Sequence, residues 1–458
     1  MIEFGPADSL HRLVKQAIDS GQAKSIAEAE AMFRGYRLAF RIDAPDVESP
    51  AHQAALLTGI ALARRVFLGG VSVSGPIDVP LRVPLPLGPS LSNAADLLGA
   101  TRADNDARLP TISIGGEPVR KADSFYVRTY YSGWKGGIVP GHAEVRHGDR
   151  DVMPLAAMLS AGLAVNEAFH FVSGDQGATG RRAAGLSLWE PSVSDWLNAA
   201  KGPDLQYLPS QLWLIGLGHL GQAFLWGLGI LPFPSPAGLT LILQDLDRIT
   251  PSTETTSILS EKDMVGQLKT RAMANWCERR GFATKICERL FDGRFQRHDQ
   301  EPAVALCGID NGLGRRALDQ VGFSYVVEAG LGRGHRDFRS IRLHTLPGPR
   351  PASQLWSVAS ANVERPTSAA YQKLIDDGLL DQCGVTLLAG KAVGAPFVGT
   401  VAATLVLAEV LRLLHGGTLH HVIDMDLASL EHRSVVSREN EFNVLNPGYV
   451  AVEHNSTI

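Results

Sequence analysis

The run QLWLIGLGHLGQAFLWGLG, beginning at Gln211, constrains this chain more than any other stretch. An apolar strand enters a glycine turn and leaves as an apolar helix, and LTLILQDLD follows as a second strand, completing a βαβ unit. In GLGHLG, Gly216 permits the tight turn, Gly218 lets the backbone approach a phosphate, and Gly221 allows the helix to pack closely, with its N-terminus facing the anion. Asp245 closes the second strand roughly 20 residues on, where a carboxylate meets ribose hydroxyls in dinucleotide-binding folds. Loop and acid alone fit a nicotinamide dehydrogenase, the commoner use of the motif, so choosing the nucleotide needs further residues.

Downstream, PAVALCGID and FSYVVEAG have the continuous apolar character of strands covered on both faces, and PFVGTVAATLVLAEVLRLL is a long apolar helix. The fold class is therefore α/β, a doubly wound, Rossmann-like and mostly parallel sheet. The first half has its own elements. Residues 49–65 have helical spacing, VSVSG reads as a strand, TISIGG and SFYVRTYY alternate like strands, and MPLAAMLSAGLAVNEAFHFV is a strong helix. Between residues 76 and 110 the prolines Pro76, Pro80, Pro84, Pro86, Pro89 and Pro110 predict irregular backbone. Pro154, Ala161, Leu163 and Glu167 are spaced as Pro396, Ala403, Leu405 and Glu409 are, which reads either as an internal repeat or as the chance likeness of two apolar helices. With a linker at 190–209, the expected division is residues 1–200 and 205–458, only the second keeping a nucleotide loop.

A chain of 458 residues exceeds one ordinary core and fits two domains. Net charge of −4 provides no general pull toward nucleic acid or anionic membrane, so neither is an expected partner. The N-terminus shows no apolar stretch after a basic one, and no uncharged apolar run of membrane length stands out, so a cytoplasmic protein is expected. Cys277, Cys287, Cys307 and Cys383 contain no CxxC pair, so neither a disulfide scaffold nor zinc is expected.

The residues that choose the nucleotide lie in QDLDRITPSTETTSILSEKDMVGQLKTRAMA and ALCGIDNGLGRRALD. In order they are Asp245 and Asp247 at a strand end, Ser252 in a loop, Gly266 and Lys269 opening a helix, then Asp310, Asn311 and Arg315 after a later strand. This pattern resembles the ubiquitin-activating (ThiF/MoeB-like) adenylyltransferases, over roughly residues 210–415. The resemblance implies that Asp245 holds the ribose, Lys269 the phosphates and Asp310 a magnesium ion, with Gly216, Gly218, Gly221, Asp247, Asn311 and Arg315 completing an ATP site. Attack on an α-phosphate by a carboxylate needs such cationic and metal neutralisation. The bland alternatives are a solvated helix lysine for Lys269 and a helix N-cap for Asp310.

One departure stands out. The family pattern SNxxRQ places an arginine in the loop after the second acid, whereas Ser252, Thr253, Glu254, Thr255, Thr256 and Ser257 stand here. Arg181, Arg182, Arg271 and Arg315 are candidate replacements, Arg181 or Arg182 preferred, because relatives draw a second cation from before the glycine strand or from the partner half. Cys383 lies shortly before the last long helix, as does the thioester cysteine of the compact activating enzyme of the ubiquitin-fold modifier; the alternative is a buried structural thiol. Gly330, Gly332, Arg333, His335, Arg336, Arg339 and Arg342 read either as an exposed hairpin or as a dock for a peptide tail.

The resemblance thus implies a degenerate, inactive adenylation-like first half and an active second half. The implied reaction uses ATP and magnesium to adenylate the C-terminal glycine of a ubiquitin-like or sulfur-carrier protein, then forms a thioester on Cys383 for a conjugating enzyme. A bacterial, Bil-like defence conjugation system is the implied setting. Against it stand the dehydrogenase and a non-catalytic scaffold for a modifier, the latter motivated by the missing arginine.

Overall fold

A computed structural model describes residues 4–452 except 105, 120–123, 146–152, 175–176, 178, 357–368, 378–379 and 440–444, and leaves the Cys383 side chain undescribed. Three short helices, α1 (Pro6–Ser9), α2 (Val14–Asp19) and α3 (Ile26–Arg34), precede the first sheet. Its strands are β1 (Leu38–Ile42), β2 (Val71–Ser74), β3 (Thr101–Arg102), β4 (Thr111–Ile114), β5 (Tyr126–Ser132), β6 (Lys135–Pro140) and β7 (Ala184–Ser187). They lie in the order β3-β2-β1-β4-β5-β6-β7, parallel as far as β5 and antiparallel beyond it. Helices α4 (Pro50–Ala63), α5 (Leu91–Leu97) and α6 (Pro154–Val172) belong to the same half.

After a short strand β8 (Tyr207–Pro209), the second sheet takes β9 (Gln211–Ile215), β10 (Thr240–Gln244), β11 (Ala283–Cys287), β12 (Val304–Cys307), β13 (Tyr325–Leu331), β14 (Ser340–Leu346), β15 (His420–Asp426) and β16 (Ser434–Ser437). The order is β11-β10-β9-β12-β13-β14-β15-β16, parallel from β11 to β13 and antiparallel from β13 onward. A last strand, β17 (Tyr449–Ala451), pairs with β8. The helices of this half are α7 (His219–Ile230), α8 (Pro251–Glu254), α9 (Lys269–Arg280), α10 (Gly312–Arg315), α11 (Ala352–Leu355), α12 (Ala369–Asp376), α13 (Gln382–Gly390) and α14 (Pro396–Leu414).

Apart from β16, the two sheets repeat one another strand for strand, with the first strand central and a long helix, α6 or α14, entering between the sixth and seventh strands. The spacing shared by Pro154–Glu167 and Pro396–Glu409 thus coincides with a repeat of topology. The central strand β1 has no counterpart in the sequence reading, where LAFRI carries an arginine that blurs an otherwise apolar run.

Each sheet is covered by helices that meet those of the other half. α4 and α6 lie on the first sheet and α14 on the second, while α6 packs on α14 and both pack on α7. Gly162 of α6 comes so near α14 that a Cβ there would stand 2.9 Å from the Val401 side chain. This layer explains why α6 and α14 are apolar on every side and long enough to cross a membrane: 83% and 89% of their most apolar windows are buried inside the molecule. Polar groups in the layer are paired across the halves. Trp226 Nε1 donates to Thr58 Oγ1 at 2.9 Å, and the buried Arg65 donates to the Glu254 and Ser260 carbonyls at 2.9 and 2.7 Å. The opposite face of the second sheet buries Trp213, Ile242, Phe291, Val326 and their neighbours, so its parallel strands are covered on both sides.

Candidate functional site

The parallel strands β9, β10 and β12 end at one edge, and a cleft of about 560 Å³ opens there, at the topological switch point where such folds take ligands. Gly216, with φ of +86°, makes the turn out of β9. Gly221 is a packing residue, because a Cβ would fall 2.0 Å from the Gly216 carbonyl oxygen. Gly218 instead faces open space within the cleft, with nothing nearer its Cβ position than Lys269 Nζ at 4.0 Å. The three glycines therefore divide the labour expected of them: turn, approach and helix packing.

Asp245 accepts the Leu217 N–H at 2.7 Å and the Asp247 N–H at 2.8 Å, which ties the glycine turn to the end of β10. Lys269, the first residue of α9, donates to Asp247 Oδ2 at 2.9 Å and stands 3.8 Å from Asp245 Oδ2. Its side chain is only 11% exposed, so it is a cleft cation and not a solvated helix lysine. Asp310 lines the cleft, and the cap of α10 is Asn311, whose Oδ1 accepts the Leu313 N–H at 2.9 Å. Arg315 donates through Nε to the Ile309 carbonyl at 2.8 Å and pairs with the buried Glu328 at 2.9 Å. It braces the turn that presents Asp310 and Asn311. Leu290 and Leu246 are exposed hydrophobic residues at the same cleft, and with Phe291 they form an apolar lip facing the acids.

An arginine from elsewhere in the chain reaches the loop after Asp247. Arg12, between α1 and α2, enters the cleft beside the glycine loop, its Nη2 donating to Ser252 Oγ at 3.0 Å and its N–H to Thr255 Oγ1 at 3.2 Å. The hydroxyl-rich loop thus serves as the seat for a guanidinium from the first half. Among the described residues Arg12 Nη1 is buried with no hydrogen-bond partner, and burial lowers the basicity of Arg12 against the opposing pull of Asp8 and Asp310. An arginine stays charged even so. The preference for Arg181 or Arg182 is corrected accordingly: Arg182 pairs with Glu431, and neither residue lines the cleft. Arg271 pairs with Glu288 outside it. No motif surrounds Arg12, so only the folded chain reveals it.

Cys383 lies in α13, its side chain outside the described residues; the chain returns from α13 to α14 through Ala392, Val393, Gly394 and Ala395, which line the cleft. The other thiols are ill suited to attack. Burial pushes Cys307 up to about 12 and Cys277 higher, and Cys287 is also raised. The arginine-rich segment is the hairpin between β13 and β14: Arg342 pairs with Asp424 and Arg339 contacts His170, while Gly332 and Arg333 line the cleft. Among the described residues no three His, Cys, Asp or Glu side chains converge as a metal site.

Two histidines frame the site as neutral groups. His219 opens α7 with Nε2 near the Pro396 carbonyl at 3.5 Å, His11 adjoins Arg12, and burial lowers both to about 4 from 6.5. The folded protein therefore refuses protons that the unfolded chain accepts, so this contribution to stability is full above pH 6.5 and is lost progressively down to pH 4. At pH 5.5 each ring is expected to cost about 1.4 kcal/mol. Urea midpoints at pH 7.5 and 5.5 test this, and a His219→Gln variant should lose roughly half of the drop. An unchanged drop in that variant excludes His219 as a source.

Comparison with known proteins adds three findings. Residues 208–417 match the model of the BilD C-terminal domain and residues 37–188 that of the BilD N-terminal domain. The chain is 43% identical over 428 residues to the bacterial E1-like protein BilD of Collimonas sp. (strain OK412), covering 92% of each. Among solved structures, E. coli MccB, in a crystal structure with ATP, is 13% identical with a TM-score of 0.33, over 66% of this chain and 75% of that one. PaaA is 12% identical with a TM-score of 0.34, over 60% and 72%.

Proposed function

This chain belongs to the BilD family of bacterial E1-like proteins, and from that premise we propose that its cleft adenylates the C-terminal carboxylate of a small carrier protein with ATP. The observation that carries the reading is the convergence on one glycine loop of two cations from different halves of the chain, Arg12 and Lys269, with the carboxylate of Asp310. Two fixed positive charges beside helix α7's N-terminus suit a polyphosphate, and they suit charge that builds up during phosphoryl chemistry still better.

In the proposed reaction a carboxylate oxygen of the carrier attacks the α-phosphorus of ATP, the bond to the bridging oxygen breaks, and diphosphate leaves with that electron pair. Asp245 and Asp247 are placed for the ribose and the lip of Leu246, Leu290 and Phe291 for the base. Gly216 makes the turn and Gly221 packs the helix so that Gly218 and the N-terminus of α7 face the phosphates, Asn311 and Arg315 hold the turn that presents Asp310, and Lys269 and Arg12 neutralise the phosphate oxygens. Of the cleft's carboxylates, Asp245 accepts two backbone N–H groups and Asp247 pairs with Lys269, which leaves Asp310 for magnesium, an ion commonly held by one or two carboxylates together with substrate phosphates. Asp310 is the residue that would hold it, and the ion would supply further neutralisation of phosphate charge. The thiolate of Cys383 would then attack the acyl carbon of the adenylate, releasing AMP and leaving a thioester for a conjugating enzyme. A ubiquitin-like carrier ending in glycine and a defence-type conjugation operon are the partners and setting proposed with it. The repeat of topology supports reading the first half as an adenylation-like unit without a nucleotide loop, whose part here is to supply Arg12.

The test is magnesium-dependent exchange of pyrophosphate into ATP with the cognate carrier. Binding of NADH with indifference to ATP and magnesium overturns the proposal in favour of a dehydrogenase. Arg12→Ala is expected to lower the exchange rate on the order of 100-fold, with Arg12→Lys intermediate because the fork to Ser252 is lost but the charge remains. Equal rates for Arg12→Ala and the native chain remove Arg12 from the mechanism.

A further inference from the structure

Beside the main cleft runs a second, polar arm of about 450 Å³, which shares Arg12, Gly218, Lys269 and Asp310 with it. Among the residues that the arm adds to the main cleft's lining are Asp8 from α1 and Lys391 from the end of α13. Lys391 Nζ stands 3.1 Å from Asp8 Oδ1, in a pair 37% and 42% exposed. An ion pair that open to solvent holds little by itself and exchanges readily for a more highly charged partner. Two further groups in the arm have unused hydrogen-bonding capacity. Among the described residues Arg12 Nη1 is buried without a partner, and so is Ser257 Oγ, in a residue 1% exposed. Both can donate to an oxyanion. The arm therefore offers four cations, Arg12, Arg248, Lys269 and Lys391, and a spare hydroxyl to whatever occupies it.

We propose that Lys391 is a binding residue for the two terminal phosphates of the nucleotide and for the diphosphate that leaves. This rests on the adenylation reading above for the identity of the ligand. Gly218, where the main cleft and the arm meet, is the point of phosphate approach, so a triphosphate laid with its base at the apolar lip and its α-phosphate at the loop extends its terminal phosphates into the arm. Lys391 exchanges Asp8 for those phosphates. Because Lys391 caps the helix that contains Cys383, the same segment that carries the candidate nucleophile then senses whether diphosphate is still present.

The experiment is calorimetric titration of the full chain with inorganic pyrophosphate in magnesium buffer, and separately with AMP. Breaking the pair alone is not diagnostic, because Lys391→Gln also frees the negative charge of Asp8 within the arm. The decisive comparison is therefore Lys391→Gln in an Asp8→Asn background. If Lys391 contacts phosphate, pyrophosphate affinity falls roughly tenfold there while AMP affinity stays unchanged. Unchanged pyrophosphate affinity in that background shows that Lys391 serves only Asp8, and an equal loss for AMP shows a general disturbance; either overturns the proposal, as does a native chain that binds no pyrophosphate. Failure of the adenylation reading looks different: the native chain binds pyrophosphate and responds to Lys391 but neither binds ATP nor exchanges label into it.

Discussion

Replacing Lys269 by alanine is expected to lower adenylate formation by about 100- to 1,000-fold, the largest loss from any single substitution in the nucleotide cleft. The side chain is nearly buried, so its ammonium acts with little screening, and it is paired to Asp247 at 2.9 Å with Asp245 close by. Removing it deletes a positive charge and also leaves both carboxylates uncompensated beside incoming phosphates. The penalty should exceed that of Arg12→Ala for this reason, since the arginine's hydrogen bonds go to hydroxyls and Asp8 and Asp310 act on it through space. Pyrophosphate exchange under saturating carrier measures the effect, and the affinity for AMP separates binding from rate. A Lys269→Ala rate within threefold of the native one would place the chemistry elsewhere and leave the scaffold as the better account.

Replacing Cys383 by alanine is expected to abolish the covalent carrier adduct while pyrophosphate exchange continues at the native rate. The two half-reactions separate because adenylation uses the residues around the glycine loop, whereas α13 is joined to the cleft at its C-terminal end, through Lys391 and the return segment Ala392–Ala395. Substitution of another thiol is not expected. Cys277 and Cys307 are buried with their ionisation pushed far up, and Cys287, partly exposed on the edge strand β11, is raised in the same direction. Non-reducing electrophoresis with ATP, magnesium and carrier reads the outcome. An adduct that survives reductant, or that persists in the alanine variant, ends the thioester proposal.

These expectations rest on unequal kinds of legibility. The glycine loop could be read outright, because a turn with positive φ at Gly216 and a helix too close for any Cβ at Gly221 are demands the backbone makes within six residues. The buried parallel strands were equally plain from continuous apolar runs, and α6 and α14 from length and composition. Their shared burial was not, since a helix apolar all round reads the same whether a sheet, a second helix or lipid covers it. Lys269 and Asp310 stood out as a pattern, but their bland alternatives fell only when Lys269 was found nearly buried against Asp247 and the cap of α10 was found to be Asn311.

By itself, then, the sequence determined a doubly wound α/β half with a glycine loop, and a likeness of its last long helix to one in the half before it that the topology then matched. Those features depend on contacts between near neighbours in the chain, which leave a signature in spacing. The tertiary structure decided which arginine enters the cleft. Arg12 reaches Ser252 across 240 residues of chain, and Asp8 reaches Lys391 across 383, so neither pairing leaves any local spacing to read. The packing of α1 on α8 and α13 brings the N-terminal segment to the loop that lacks an arginine, and there hydroxyls and a guanidinium become one site.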